Sequence, residues 1–370
     1  MPDDARFLIA GGGTGGHIMP ALAIADALRA RCGAEILFVG TARGLESRLV
    51  PQAGYRLELI RAGQLNQVSL ATRLKTLVDL PRGLMQCVGL LRTFRPQAVI
   101  GVGGYASGPM MAAAVLTRVP TLAFEPNAVP GMANRLVGRW VTAAAVNFAP
   151  AAQYFRNAQV TGIPVRAEFF RLATRPAGAA PHLLVFGGSQ GARALNQTMP
   201  KIAPALLGSI PGLTILHQAG ARHAEATLAA YEASGAPRER WQVAAFLDDM
   251  PKRFEAADLV LARSGASTVA ELSAAGKPAL LVPFPQAADD HQRRNAEEMA
   301  RAGAAEMLLE AGLTGSDGTG EPLKRMLMEM LGDPARLRAM AAQARTLAHP
   351  DAAERIAAMA MEIARGRPAH

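Results

Sequence analysis

FLIAGGGTGGHIMPALAIADAL (7–28) and LLVFGGSQGARALNQTM (183–199) decide how this 370-residue chain is read. Each opens on a short apolar run, passes through a glycine-rich turn and continues at helical spacing. A run apolar at every position is a strand buried on both faces. Such strands belong to parallel sheets covered by helices. The same pattern in both halves predicts two domains of one architecture.

Further runs extend the pattern. In the first half the strand candidates are Phe7–Ala10, Glu35–Val39, Ala98–Val102, Thr121–Phe124 and Ala143–Asn147. In the second they are His182–Phe186, Leu213–His217, Gln242–Phe246, Leu259–Ala262, Ala279–Val282 and Ala304–Leu308. Helical spacing marks Pro20–Arg31, Arg193–Leu207 and Ala287–Arg301, and Pro350–Arg365 reads as a final helix. The class is therefore α/β, with two doubly wound Rossmann-like domains whose parallel sheets face an interdomain cleft. The boundary falls near TGIPVR (161–166), and Gly312–Gly320 reads as a mobile loop.

Half of the residues are hydrophobic and 19% are charged, so disorder is excluded. Cys32 and Cys87 are too far apart for a disulfide framework or a ligand pair, which suits a reducing cytoplasm. The acidic start lacks the features of a signal peptide, and Gly108–Thr117, the longest apolar run, is too short to span a bilayer. A soluble or peripheral protein is expected.

Charge is unevenly placed. Residues 1–166 hold 17 Lys/Arg against 8 Asp/Glu, whereas 167–370 hold 22 of each. The basic half suits an anionic partner, or is simply a solvated surface. Nucleic acid is excluded as the partner, because aromatics are 5% and neither a basic run nor an RNA-binding motif is present.

Gly11, Gly13 and Gly16 satisfy the dinucleotide fingerprint, but that fingerprint also needs an acidic residue ending the second strand. Phe38-Val39-Gly40-Thr41 supplies none, which argues against a nicotinamide or flavin enzyme. His17 stands at the mouth of the first helix. It is a candidate general base, or a structural histidine. In Gly187–Arg193 the backbone N–H groups and Ser189 suit a diphosphate. No Lys-Ser/Thr pair follows, so neither a P-loop nor a metal is demanded. In RSGASTVAELSAAGKP (263–278), Glu271 suits a ribose diol, or is a helix-start acid favoured by the dipole. Asp290, His291 and Gln292, in PFPQAADDHQRRNA (283–296), suit sugar hydroxyls, and no zinc-ligand spacing is present.

Taken in order, GGGTGGHIMPALA, GVGGYASGP, EPNAVPGMANR, GIPVR, GGSQGARALN, FLDDM, RSGASTVAEL and DDHQRRNA cover nearly the whole chain. Together they resemble the MurG family of bacterial peptidoglycan glycosyltransferases. Members add N-acetylglucosamine from UDP-N-acetylglucosamine to undecaprenyl-diphosphate-linked muramoyl-pentapeptide (lipid I), giving lipid II. The resemblance implies a GT-B architecture. Residues 1–164 with 350–370 would take the acceptor at the cytoplasmic face of the membrane. Residues 165–349 would take the nucleotide sugar, with no cofactor.

Carried over by motif, Ser189 would contact the diphosphate. Phe246 and Leu247 would frame the uracil, and Ala266, Ser267, Thr268 and Glu271 would line the nucleotide pocket. His291 and Gln292 would hold the sugar. From the first domain, Thr14, Gly15, Gly16, Asn127 and Arg166 would close on the donor. Relatives often have His-Glu-Gln-Asn where this chain has Phe124-Glu125-Pro126-Asn127. Two polar side chains would thereby be lost from the cleft wall. His291 stands where some relatives have glutamine.

An inverting displacement needs a base, for which His17 is the first choice and Glu125 the reserve; Glu125 equally suits a loop-organising role. The apolar positions of Leu70–Leu91, interspersed with Arg73, Lys75 and Arg82, read as a helix pair broken at Pro81 and Gly83. That pair would be core-packed, or would enter an anionic membrane interface. The competing functions are a glycolipid synthase, a UDP-sugar 2-epimerase and a non-catalytic binding protein.

Overall fold

Phe7, Leu8, Ile9 and Ala10 are all fully buried, as a strand covered on both faces requires. The computed structural model describes residues 5–13, 15–42, 44–60, 70–176 and 178–366, with backbone alone for 70–80. The chain divides into two compact units, Met1–Pro164 with Asp351–His370, and Val165–Pro350.

In unit 1 the elements are β1 (Arg6–Ala10), α1 (Gly15–Cys32), β2 (Glu35–Gly40), α2 (Glu46–Gln52), β3 (Arg56–Leu59), α3 (Leu70–Phe94), β4 (Ala98–Gly101), α4 (Ser107–Leu116), β5 (Thr121–Glu125), α5 (Met132–Val137), β6 (Ala143–Val146) and β7 (Ala158–Val160). Unit 2 follows with β8 (His182–Phe186), α6 (Arg193–Ser209), β9 (Thr214–Gln218), α7 (Ala224–Ala233), β10 (Trp241–Ala244), α8 (Met250–Ala256), β11 (Leu259–Ala262), α9 (Ala266–Ala275), β12 (Ala279–Leu281), α10 (His291–Arg301), β13 (Ala305–Met307), α11 (Glu321–Leu331) and α12 (Pro334–Thr346). The last helix, α13 (Ala352–Ala364), belongs to unit 1.

Both sheets are parallel. Their orders are β3-β2-β1-β4-β5-β6-β7 and β10-β9-β8-β11-β12-β13. Each order reverses beside its first strand, between β1 and β4 and between β8 and β11. Ligands of doubly wound sheets bind at such switch points, at the carboxyl ends of the strands. The glycine turns 11–16 and 187–192 stand at these two places.

The helix α13 packs against α1 and against β4 and β5. Its Ile356 and Ile363 are buried, each contributing roughly 1.5–3 kcal/mol. Arg355 Nη2 donates to the Val160 carbonyl at 2.8 Å.

Several expectations change. β3 and β7 were not legible, because edge strands of four and three residues carry no buried apolar run. The first helix begins at Gly15 rather than Pro20, which sits inside it. Proline lacks a donor and its ring crowds the carbonyl four residues before it, a cost borne here near the start of the helix. Leu70–Phe94 is one helix containing Pro81, not a pair. The helix expected from Ala287 begins at His291, because Asp289 and Asp290 adopt left-handed backbone. Phe124 and Pro126 are buried, with Phe124 in the sheet interior. Phe124 therefore lines no cleft wall.

Candidate functional site

In unit 1 the turn after β1 leads into α1, whose first turn contains Gly15, Gly16 and His17. Thr14 lies outside the described residues. A Cβ added to Gly103, just past β4, would fall 2.9 Å from His17 Cε1. The imidazole thus lies against the neighbouring backbone at the switch point.

Glu125 ends β5 and is 2% exposed. Its Oε1 accepts from the Asn127 backbone N–H (2.9 Å) and Nδ2 (3.1 Å). Its Oε2 accepts from the Gly131 N–H (3.2 Å) and Asn134 Nδ2 (2.9 Å). Burial pushes the pKa of Glu125 up, against the pull of these donors. With both oxygens engaged, the carboxylate is built into the 126–134 loop, and Asn127 is fixed by it.

In unit 2 the turn after β8 leaves Ser189 exposed. Gly191 stands so close to the next turn that an added Cβ would fall 1.8 Å from the Ala219 carbonyl oxygen. Among the described residues, the N–H groups of Gly188, Ser189 and Gln190 donate to no other part of the chain.

Beyond the switch point β11 runs into Arg263 and α9. Ala266, Ser267 and Thr268 form the first turn of α9 and are partly exposed. Glu271 follows on the same helix. Among the described residues nothing hydrogen-bonds its carboxylate. Burial raises its pKa to about 7, partly offset by the positive charge of Arg166. Arg166 lies at the start of unit 2 rather than in the first domain as expected, with its guanidinium 5.2 Å from the centre of the Phe169 ring.

The loop from β12 to α10 completes this end of the sheet. His291 Nδ1 lies 2.6 Å from the Ala288 carbonyl oxygen and so donates to it, which leaves Nε2 as an acceptor. Gln292 Oε1 accepts from the Phe284 N–H at 3.0 Å, which leaves its amide Nε2 as a donor. Asp289 and Asp290 have φ of 53° and 55°, each costing on the order of 1–3 kcal/mol. Such strain concentrates in ligand-holding segments. Phe246 is 57% exposed in the loop after β10, whereas the Leu247 side chain is buried. Leu247 can therefore offer a ligand only its backbone.

The amino-terminal domain model of glycosyltransferase family 28 matches residues 7–146, and the carboxy-terminal domain model matches residues 182–356. A relative from Solibacter usitatus is named UDP-N-acetylglucosamine--N-acetylmuramyl-(pentapeptide) pyrophosphoryl-undecaprenol N-acetylglucosamine transferase. It is 44% identical over 363 residues, covering 98% of this chain and 97% of its own. A protein of the same name from Anaeromyxobacter dehalogenans is 44% identical over 367 residues, covering 98% and 94%. The chain belongs to glycosyltransferase family 28. The crystal structure of Acinetobacter baumannii MurG superposes with a TM-score of 0.80 at 30% identity, over 97% of this chain and 99% of that one. This glycosyltransferase thus carries its family's sequence pattern over both units.

Three supports of the family 28 site went unread in the sequence. Glu46, from α2, enters the first glycine turn and accepts from the Gly13 N–H at 2.7 Å. Its only signal is a lone acid six residues past the end of β2, beyond the position at which a dinucleotide fold carries its ribose-binding acid. Arg263 is buried and donates to the Val282 and Pro283 carbonyls, both at 3.1 Å, and pairs with Glu310. It ties β11 to the 283–292 loop. His217 on β9 is fully buried, and burial pushes its pKa down to about 3. The neutral ring bridges Tyr231 Oη (3.2 Å) and Asn196 Oδ1 (3.0 Å), and Asn196 Nδ2 donates to the Ala219 carbonyl at 2.8 Å. That carbonyl is the one against which Gly191 packs. No local pattern joins residues 196, 217 and 231.

Proposed function

We propose that the enzyme transfers N-acetylglucosamine from UDP-N-acetylglucosamine to the C4 hydroxyl of the muramoyl sugar of undecaprenyl-diphospho-muramoylpentapeptide. Unit 2 takes the donor and unit 1 the acceptor. The observation that carries the donor assignment is Glu271, a partly buried carboxylate with no hydrogen-bonding partner among the described residues. A ribose diol supplies two donors to such a group, and ionised acceptors form the stronger hydrogen bonds. Ser189 and the adjoining N–H groups bind the diphosphate, the Leu247 backbone reads the uracil, and Ala266, Ser267 and Thr268 line the nucleotide. His291 Nε2 and Gln292 Nε2, one acceptor and one donor, suit sugar hydroxyls. Arg166 balances the charge of the diphosphate. The family motif assigns Thr14, Gly15, Gly16 and Asn127 of unit 1 to the donor as well, and Thr14 lies outside the described residues.

The acceptor hydroxyl attacks C1 as the C1–O bond to UDP breaks, with inversion from α to β. The proton goes to His17, and the electron pair leaves on the diphosphate. The turn N–H groups stabilise the departing charge without reorganising. Glu125 shapes the loop carrying Asn127.

Unit 1 also meets an anionic membrane surface at its cytoplasmic face. Leu116, Leu136 and Trp140 are 69%, 61% and 67% exposed on or just after α4 and α5, which pack together. Arg118, Arg135 and Arg139 accompany them. Large exposed apolar side chains among arginines suit an anionic lipid interface. Arg82 and Met85 on α3 are exposed as well, whereas the side chains of Arg73 and Lys75 lie outside the described residues. Among the described residues no helix is long and apolar enough to cross a membrane.

The decisive experiment measures UDP release from UDP-N-acetylglucosamine with and without a short-chain lipid I analogue, in the absence of added divalent metal. Release that depends on the analogue is expected. Release or epimerisation without an acceptor would overturn the assignment. Replacing Leu116, Leu136 and Trp140 together by serine should reduce partitioning into anionic vesicles while leaving turnover of the soluble analogue in place.

A further inference from the structure

Glu46 is 1% exposed at the first residue of α2, and no step described so far uses it. Its carboxylate is enclosed by three glycines from three segments. A Cβ added to Gly12 would lie 2.2 Å from the carboxyl carbon, and one added to Gly44 would lie 1.9 Å from Oε2. One added to Gly40 would lie 2.5 Å from the Glu46 Cγ. Only backbone without side chains admits the group. Within this enclosure Oε2 accepts from the Gly13 N–H at 2.7 Å. Oε1 accepts from both the N–H and the hydroxyl of Thr41, at 2.9 Å each. Three donors converge on one carboxylate, which donates to none of them.

The position of this cluster gives it a consequence. Gly13 belongs to the turn after β1 at the switch point, where a doubly wound domain ordinarily presents its backbone N–H groups to a ligand phosphate. In unit 1 the chain's own carboxylate takes the Gly13 N–H. The other end of the bond is anchored to Thr41, just past β2. Gly13 is four residues from His17, with the start of α1 between them.

We propose that Glu46 is a positioning residue for the transfer reaction: an internal anion that replaces a ligand phosphate in the first glycine turn and so sets where α1, and with it His17, begins. It rests on the transferase assignment above. The role requires a charged acceptor of two oxygens. In Glu46→Gln one oxygen becomes an NH2 group, which must face either the Gly13 donor or the two Thr41 donors. Glu46→Ala leaves space for a small carboxylate between the same glycines and donors.

The test measures kcat, the KM for UDP-N-acetylglucosamine and UDP binding for wild type, Glu46→Gln and Glu46→Ala, with the lipid I analogue as acceptor. UDP binding reads unit 2, and the urea midpoint of unit 1 reports that each variant is folded where the substitution lies. We expect kcat to fall about 100-fold in both variants, the scale of an ångström-level misplacement. UDP binding should be unchanged, and any change in the donor KM should be small beside the fall in kcat. Added formate should restore kcat in Glu46→Ala and not in Glu46→Gln, while chloride at equal ionic strength restores neither. Wild-type kcat in Glu46→Gln would overturn the proposal, as would a loss of kcat in folded Glu46→Ala that formate leaves untouched. A wild-type enzyme without acceptor-dependent turnover would instead overturn the transferase assignment itself.

Discussion

The two glycine turns occupy equivalent places in equivalent sheets, yet the chain treats them differently. After β1, the Gly13 N–H is spent on Glu46, and the His17 ring lies against Gly103. After β8, the N–H groups of Gly188, Ser189 and Gln190 donate to no other part of the chain among the described residues, and Ser189 is exposed. Glu271, across the switch point, has a carboxylate with no such partner either. In one turn an internal carboxylate takes the Gly13 N–H, and the other presents its polar groups outward. A fold's topology decides where a turn stands. Side chains arriving from other elements decide whether it remains open to a ligand.

That contrast can be broken by variants that act on the wrong quantity. The largest effect is expected at His17. His17→Ala should lower kcat roughly 10²- to 10⁴-fold, the range for loss of a general base, while UDP-N-acetylglucosamine binding stays intact. Nearly normal turnover would remove His17 from proton transfer.

Glu125 should behave as part of the framework. Glu125→Ala leaves the N–H groups of Asn127 and Gly131 and the Asn134 amide without their acceptor. Of these only the Asn134 side chain is fully buried, and it keeps the Phe124 carbonyl as a second acceptor, so unit 1 should lose about 1–3 kcal/mol. The measure is its urea midpoint. An unchanged midpoint with lost turnover would make Glu125 a proton acceptor instead.

Unit 2 variants should act on donor affinity. Glu271→Ala should weaken UDP-N-acetylglucosamine binding roughly tenfold to a hundredfold, as for a hydrogen-bonded charge worth about 1.5–3 kcal/mol. A smaller and more diagnostic effect comes from pH. The Glu271 pKa is raised from 4.5 to about 7, so in the free enzyme the acid is substantially protonated near neutrality. A diol prefers the ionised form. Donor affinity should therefore be full above about pH 8 and fall as pH drops through 7, approaching a tenfold loss per pH unit. Stability has the opposite sign: a carboxyl with a raised folded-state pKa stabilises the fold most at low pH, and that contribution is lost as pH rises from 4.5 to 7. Calorimetric titration with the intact sugar nucleotide checks this, because its diphosphate carries no terminal phosphate to titrate. Glu271→Gln should flatten the profile, and a slope that survives the substitution would place the titrating group elsewhere.

The buried strands were readable because a parallel strand covered on both faces must be apolar at every position. Runs such as FLIA and LLVF therefore identify themselves without their neighbours. Edge strands β3 and β7, half exposed, carry no such mark. The ordered motifs identified the family for the same reason: glycine turns and helix starts are encoded locally, by the residues that form them. Several partners of the candidate site are not local. Glu46 reaches Gly13 across 33 residues, Arg263 reaches Glu310 across 47, and Asn196 reaches His217 across 21. The sequence by itself determined the fold class, the family and the place of the two glycine turns. Only the tertiary structure decided that one turn is already filled by a carboxylate, that Phe124 lies in the core and that Glu125 is bound by its own loop. Hydrogen bonds and burial depend on distances in space, which chain folding sets between residues that share no local pattern.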